Sequence, residues 1–211
     1  MPPTAVHVAV GGLLAAALLG PHLDRRSVAV VLAAAALPDL DALLSLLVEG
    51  GHNAALHTLV WPFLVGVGLY WATSGGHLAA RFGDRGVRVI WAAFASFLVA
   101  GIGLDLLNIE GVNALWPLVD QFYTLVGVLE LNNKEGLVQT FVQVNTTGGP
   151  FLEVGTRGST ADYFVPSPLN PTRGPDAGAN RIFRVVETGW QFVLVVASAV
   201  VLATRLRGGG R

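Results

Sequence analysis

The sequence predicts an all-α polytopic membrane protein, a bundle of five transmembrane helices, or six, with a small extramembrane region that contains a β-hairpin. Composition is the first reason: of 211 residues, 53% are hydrophobic and 13% are charged, whereas charged residues make up about a quarter of an average soluble domain. Apolar runs of transmembrane length, joined by short connections, are the second. A single long polar region before the last run is the third.

The apolar runs give the order of the predicted spans. A span requires about 20 mostly apolar residues to cross roughly 30 Å of hydrocarbon. The runs that qualify are 4–20, 27–48, 55–72, 87–107 and 186–204, with 112–130 as a sixth span or a re-entrant or interfacial segment. We therefore expect a transmembrane helical core with a metal site at 1–130, an extramembrane region at 131–185, and a C-terminal transmembrane helix with a basic tail at 186–211.

The extramembrane region contains the predicted hairpin. Polar and apolar residues alternate in "GLVQTFVQV", Gly136 to Val144, and the alternation resumes after a Gly-Gly-Pro turn. The alternative is a disordered linker before the last helix. Asn145, in "NTT", is a candidate glycan acceptor if the region lies outside the cell. A protein partner would bind through residues 131–185.

Arginine placement predicts the orientation in the cell membrane, because basic residues accumulate in short cytoplasmic loops. They follow the first and third runs and end the chain, whereas the connections "EGGHN" and "NIEGVN" contain none. With five spans, all the basic connections fall on one side. We expect a multi-pass protein with its N-terminus outside and its C-terminus in the cytoplasm.

Charge and cysteine content exclude several functions. The formal net charge is −1, so no nucleic-acid partner is expected. The chain has no cysteine, which excludes disulfides, thiolate metal sites and cysteine nucleophiles. The expected partner is the lipid bilayer, with a lipid or another phosphate ester as the substrate considered below.

Six ionisable residues lie within or at the ends of the predicted spans: His7, Asp39, Asp41, His52, His57 and Asp105. An aspartate at the centre of a span costs about 2.5–3.5 kcal/mol, so such residues usually serve a function. Because successive spans alternate in direction, all six are predicted to meet at one end of the bundle. A divalent cation would balance the carboxylates, and imidazole with carboxylate suits zinc, or else manganese or iron.

Taken singly, these residues have ordinary explanations. The sequence "PDLD" is either a helix break that turns both aspartates into one cavity, or a helix end followed by an N-cap. His7 alone would be a core or interfacial histidine, and His52 alone a loop residue. The other two histidines, His22 and His77, are predicted in solvated loops at the opposite end.

Four stretches, "TAVHVAVGG", "LPDLD", "HNAALHTLVW" and "GLDLLNIEGVNALWPL", resemble in order and spacing the predicted membrane-bound metal-dependent hydrolases typified by YdjM, a LexA-regulated inner-membrane protein. The resemblance covers about residues 4–120. It implies that the same six residues are metal-binding or catalytic positions. The family is distantly similar to zinc-dependent phospholipase C and P1-type nucleases, which implies hydrolysis of a phosphate ester, such as a lipid headgroup.

Two departures from the family pattern bear on activity. Asn53 stands where the family has an arginine, and Gly101 stands where it has the histidine that precedes the later aspartate by four residues. The sequence leaves open whether the glycine abolishes activity. It predicts a membrane-embedded metal-dependent hydrolase in which Asp39 or Asp41 is the catalytic base. The alternatives are a catalytically silent membrane scaffold that binds a partner, and an ion transporter that uses the same polar cluster.

Overall fold

The structure, a computed structural model, describes residues 1–47, 50–144, 152–173, 176 and 178–208, and its fold is mixed α/β. Helices lie within residues 4–106 and 189–208, and strands lie within residues 122–158. The predicted all-α fold class is therefore wrong, because the polar region and part of the predicted transmembrane core form β-structure.

The helices are shorter than the apolar runs that predicted them. They are α1 (Thr4–Leu18), α2 (Arg25–Ala36), α3 (Asp41–Leu44), α4 (Val60–Ser74), α5 (His77–Ser96), α6 (Leu104–Leu106) and α7 (Gly189–Gly208). Short 3₁₀ turns at Gly20–His22 and Pro38–Leu40 flank α2, and a π-helix at Phe97–Gly103 joins α5 to α6.

Two of the described helices are long and apolar enough to cross a membrane: His77–Leu106, of 30 residues and kinked at Gly83, and α7, of 20. A third span results only if α2 and Pro38–Leu44, bent by 50° at the break between them, count as one. Helix α1, at 15 residues, is shorter than a span requires. The predicted bundle of five or six spans is therefore wrong, and Pro38 is one physical reason, because it interrupts helical hydrogen bonding.

Two predicted spans fail for related reasons. In the run 55–72, helix α4 begins only at Val60, because the residues before it form turns. In 112–130, Pro117 cannot donate a helical hydrogen bond. The chain there instead forms β1 and enters β2. The sixth span is thus replaced by strands and turns.

Five described strands form two antiparallel sheets. They are β1 (Phe122–Thr124), β2 (Leu129–Asn132), β3 (Gly136–Gln139), β4 (Val142–Val144) and β5 (Leu152–Gly158). Strand β5 lies between β1 and β4, and β2 pairs with β3. In the predicted hairpin, only the end of the alternating stretch, β4, pairs antiparallel with β5, Val142 opposite Val154, whereas its beginning, β3, pairs with β2 in the other sheet. The turn between β4 and β5 and the candidate glycan acceptor Asn145 lie outside the described residues.

Small residues hold α1 in the centre of the helical layer. A Cβ on Gly11 would lie 2.7 Å from the Cβ of Ala35 in α2, and one on Gly12 would lie 2.4 Å from the Oγ of Ser198 in α7. Without a Cβ at either position, α1 packs directly on both neighbours. A buried apolar cluster completes this layer: Ala15, Leu19, Val28, Val31 and Ala92. The packing fixes α1, which carries His7, against the helices that lead to the predicted aspartates.

Candidate metal centre

Three breaks in regular helix bring the predicted site residues together. The first is the Pro38–Leu40 turn after α2, which carries Asp39 and leads into α3 at Asp41. The second is the run of turns before α4, which carries His52 and His57. The third is the π-helix before α6, which contains Asp105. π-Helical segments occur frequently at functional sites, and here the segment lies directly before an aspartate.

Asp41 is the centre of a hydrogen-bonded group with two histidines. Its side chain is fully buried. Its Oδ1 accepts a hydrogen bond from His52 Nδ1 at 2.8 Å, and its Oδ2 accepts one from His57 Nδ1, also at 2.8 Å. Because a carboxylate can only accept here, each imidazole must donate through Nδ1. In the neutral form of both histidines, which is the form that binds a metal ion, the Nε2 atom is thereby left with a lone pair.

His7 is held in the same way by a backbone oxygen. Its Nδ1 donates to the carbonyl oxygen of Ala100, in the π-helix, so the Nε2 of a neutral His7 carries a lone pair, whereas the Nε2 of a protonated His7 is a second donor. This Nε2 lies 3.1 Å from the carbonyl oxygen of Pro2. A lone pair facing an oxygen is repulsive unless a proton or a cation lies between them. All three histidines therefore present the nitrogen that most often binds metals, with the other nitrogen fixed, as in known metal sites.

The free histidine nitrogens and two carboxylates converge on one point. His7 Nε2 lies 3.8 Å from Asp39 Oδ1 and 3.7 Å from Asp105 Oδ2. His57 Nε2 lies 2.8 Å from Asp105 Oδ2 and 3.7 Å from Asp39 Oδ1. One ligand atom each from His7, Asp39 and Asp105 lie within 4.8 Å of one another, so this group could hold a metal ion. The nitrogen of His57 adjoins it.

The polar atoms at this point lack hydrogen-bond partners in the part of the chain that the structure describes. At the common point they are Nε2 of His57 and both carboxylate oxygens of Asp39 and Asp105, and Nε2 of His52 is a further such atom elsewhere in the cluster, all of them buried. The 2.8 Å approach of Asp105 to His57 does not have the alignment of a hydrogen bond. A buried polar atom without a partner costs free energy. A cation bound by nitrogen and oxygen ligands would satisfy all the atoms that face it.

The site is electrostatically negative. Burial lowers the pKa of His57, but the neighbouring carboxylates of Asp41 and Asp105 raise it more, to about 10. The charged partners found for the three aspartates among the described residues are all histidines. The field that stabilises a positive imidazole also favours a divalent cation. Imidazole and carboxylate are ligands that zinc, manganese and iron accept, so the donor set fits a metal ion.

The structure brings all six predicted residues into one connected group, in which they take different positions. His7, Asp39, His57 and Asp105 direct ligand atoms at the common point. Asp41 lies behind the histidines and has both oxygens engaged, and the ring of His52 is 6.3 Å from that of His57. That all six bind metal or catalyse stays a prediction.

Other contacts that hold the site were not evident from the sequence. Asn53, buried and in the left-handed conformation (φ 57°) that asparagine tolerates, donates from Nδ2 to the carbonyl oxygen of Gly111 at 3.0 Å. Thr58 donates to the carbonyl oxygens of Ala114 and Trp116. These bonds fix the segment that carries both histidines of the paired motif. The only sequence feature that indicated these contacts was the asparagine at position 53, beside a predicted turn.

Comparisons with known proteins agree with the resemblance given by the four motifs. The sequence matches the family described as YdjM inner membrane protein over residues 1–162, a range that contains all six site residues. Neither the curated proteins nor the solved structures gave a match. The match extends over more than half of the chain and confirms the resemblance. The chain is a membrane protein that belongs to the YdjM inner membrane protein family.

Proposed function

We propose that this chain is a membrane-bound metal-dependent hydrolase of phosphate esters, with a zinc or manganese ion held by His7, Asp39, His57 and Asp105. One observation supports the proposal above the others: buried ligand atoms from four separate segments face one point, and those of Asp39, His57 and Asp105 have no hydrogen-bond partner among the described residues. Three histidines with fixed Nδ1 atoms are difficult to explain as core packing alone, since His7 and His57 each place a buried Nε2 within 3.8 Å of the carboxylates of Asp39 and Asp105.

The chain's own residues would divide the work between holding and proton transfer. Asp41 and the Ala100 carbonyl orient the imidazoles by accepting from Nδ1. When bound, the cation would polarise a phosphoryl oxygen and lower the pKa of water. Asp39 is the best-placed base, because its side chain is 9% exposed while those of Asp41 and Asp105 are fully buried. The role of Asp41 would then be positioning rather than catalysis.

In the hydrolysis, the oxygen of water bonds to phosphorus as the ester P–O bond breaks. Asp39 would take the proton of the water, and the departing alcohol oxygen ends with a proton. No covalent bond to the protein is needed, which agrees with the lack of cysteine.

Metal content tests the proposal directly. The full-length protein, purified in detergent, is loaded with zinc or manganese, passed through a desalting column and measured by elemental analysis. We expect about one equivalent in wild type and less than a tenth of that in His57→Ala and Asp39→Asn, because a site that loses a ligand retains metal poorly. His77→Ala, at an exposed histidine, is the matched control. Equal metal in all four proteins would overturn the proposal.

Activity is tested on a water-soluble phosphodiester, bis(4-nitrophenyl) phosphate, with the same proteins. We expect hydrolysis by the metal-loaded wild type and by His77→Ala, and a loss of about 10²-fold or more in Asp39→Asn even at saturating metal, because an amide cannot act as the general base.

One observation favours a second function, a metal-binding scaffold without catalysis. A Cβ on Gly101 would lie 2.6 Å from Cγ of Pro38, so the family histidine could not occupy this position without displacing the residue before Asp39. The centre therefore lacks that ligand. Stoichiometric metal without hydrolysis of any phosphate ester would support this alternative against the hydrolase.

A further inference from the structure

An apolar groove of about 590 Å³ runs between α4 and α5. One wall is α4 and the other is α5 with the start of the π-helix. Its lining residues are Leu59, Pro62, Phe63, Gly66, Val67, Tyr70, Trp71, Trp91, Phe94 and Leu98. The groove is separate from the polar cluster, and the proposed reaction does not by itself require it.

Residues at one end of the groove are close along the chain to residues of the candidate metal centre. Leu59 lies two residues after His57, and Leu98 lies two residues before Ala100, whose carbonyl oxygen holds His7. Both walls therefore continue into residues of the site. A molecule lying in the groove would have one end next to the cluster.

The length and surroundings of the groove fit one lipid chain. From Leu59 to Trp71 the α4 wall extends about 18 Å at 1.5 Å per residue. One leaflet of hydrocarbon, which an acyl chain spans, is about 15 Å, half of the roughly 30 Å core. The opposite wall belongs to the helix His77–Leu106, which is long and apolar enough to cross a membrane. In an inner membrane protein this surface meets hydrocarbon.

Gly66 allows the ring of Phe94 on the opposite wall to lie directly against α4, so a larger side chain at this position would displace that ring or fill the groove. A Cβ at this position would lie 2.9 Å from Cζ of Phe94 on the opposite wall, whereas a Cβ on Gly68, in the same helix, would meet no atom within 4 Å. At the far end, Trp91 Nε1 donates to Thr73 Oγ1 at 3.0 Å and ties the two walls together.

We propose that this groove binds one acyl chain of a phospholipid substrate and directs its phosphate ester to the metal centre. The proposal rests on the proposed function for the headgroup chemistry and adds the substrate class: long-chain lipids rather than soluble esters. Gly66 would then determine which chains enter.

The test compares Gly66→Leu with Gly68→Leu, which make the same change on the same helix. The delipidated full-length proteins are incubated with dioleoyl phosphatidylglycerol in detergent, and retained lipid is measured by native mass spectrometry. We expect about tenfold less retained lipid in Gly66→Leu, since excluding two methylenes from an apolar site costs about that factor, and wild-type retention in Gly68→Leu. Gly66→Ala, a smaller change, should lie between them and covers poor folding of the leucine variant.

The second measurement is the rate of hydrolysis by the same proteins. Gly66→Leu should lose activity on the dioleoyl lipid but keep that on the dibutyryl form and on bis(4-nitrophenyl) phosphate. If Gly66→Leu and Gly68→Leu retain equal amounts of the dioleoyl lipid, whether both keep it or both lose it, the proposal that the groove binds the acyl chain is wrong. Equal retention by wild type of dioleoylglycerol, which has no phosphate, would overturn the substrate assignment. If wild type hydrolyses nothing yet the two leucine variants differ in retained lipid, the hydrolase proposal fails and chain binding stands.

Discussion

The two ends of α2 carry carboxylates in opposite surroundings. At its start, Asp24 has a side chain 43% exposed, accepts a hydrogen bond from the backbone N–H of Ser27 at 2.9 Å, and pairs with Arg85. Beyond its end, Asp39 and Asp41 are almost or wholly buried, and their ion-pair partners among the described residues are all histidines. Aspartate therefore has two roles around α2. At the start of the helix it is an N-cap, and after the end it is part of the candidate metal centre.

Burial explains the difference. An exposed carboxylate keeps its hydration, so its ion pair adds little and its backbone bond stabilises the helix start. A buried carboxylate loses that hydration and needs a positive charge nearby. The cluster is therefore expected to depend on a cation, whereas Asp24 is not. Three substitutions test this contrast, from the largest expected effect to the smallest.

The largest effect is expected from Asp41→Asn. An amide has one acceptor oxygen and one donor nitrogen, so it cannot accept from both His52 Nδ1 and His57 Nδ1, and one imidazole must change tautomer or turn. Removing such an orienting group usually costs 10- to 100-fold in metal affinity. Competition with a chelator measures it. Wild-type zinc affinity in Asp41→Asn would show that the histidines are oriented by something else.

A smaller effect is expected from Gly101→Ala. The new Cβ would lie 2.6 Å and 3.1 Å from Cγ and Cδ of Pro38, and relieving such overpacking costs about 1–3 kcal/mol, more than the gain of about 1 kcal/mol in helix propensity. We expect a lower Tm and weaker zinc binding, because Pro38 precedes Asp39. Gly68→Ala, in open space on α4, is the control and should not lower either. Identical behaviour of the two variants would contradict the crowding.

The convergence of the six site residues could be predicted because it depends on few features. It requires only that the start of α1, the end of α2 and the end of α6 lie on the same side of the bundle. Short connections between apolar helices imply this arrangement, because successive helices then run in opposite directions. The division of roles could not be predicted. That Asp41 accepts from two histidines depends on the turns around Pro38 and His57, and the Ala100 carbonyl is available because the chain there is π-helical.

The number of spans was wrong for a physical reason. Hydropathy measures how apolar a run is, and it does not register where helical hydrogen bonding ends. The runs around Pro38 and Pro117 are as apolar as predicted but are broken by turns or strands. Strand formation in the alternating stretch was predictable, in contrast, because side chains alternate strictly across a strand, but the division of that stretch into β3 and β4, which pair with different strands, was not.

The smallest effect is expected from Asp24→Ala, which sharpens the contrast by leaving the cluster untouched. Loss of the cap to Ser27 should lower the Tm by about 2–4 °C at pH 7, with metal content unchanged. The Ser27 backbone N–H, with a further effect of Arg85, lowers the pKa of Asp24 below its usual 3.8. A group with a lowered folded-state pKa stabilises above the unfolded value and loses that contribution as pH falls through the folded one.

The Tm difference between wild type and Asp24→Ala should therefore be constant above about pH 5 and close below pH 3.8, measured by thermal unfolding of the detergent-solubilised proteins. A gap that persists at pH 2 would mean that Asp24 acts by packing and not by charge. A loss of zinc in Asp24→Ala would be more damaging, because it would couple the two ends of α2 and remove the distinction between a cap that water can replace and a cluster that only a cation can complete.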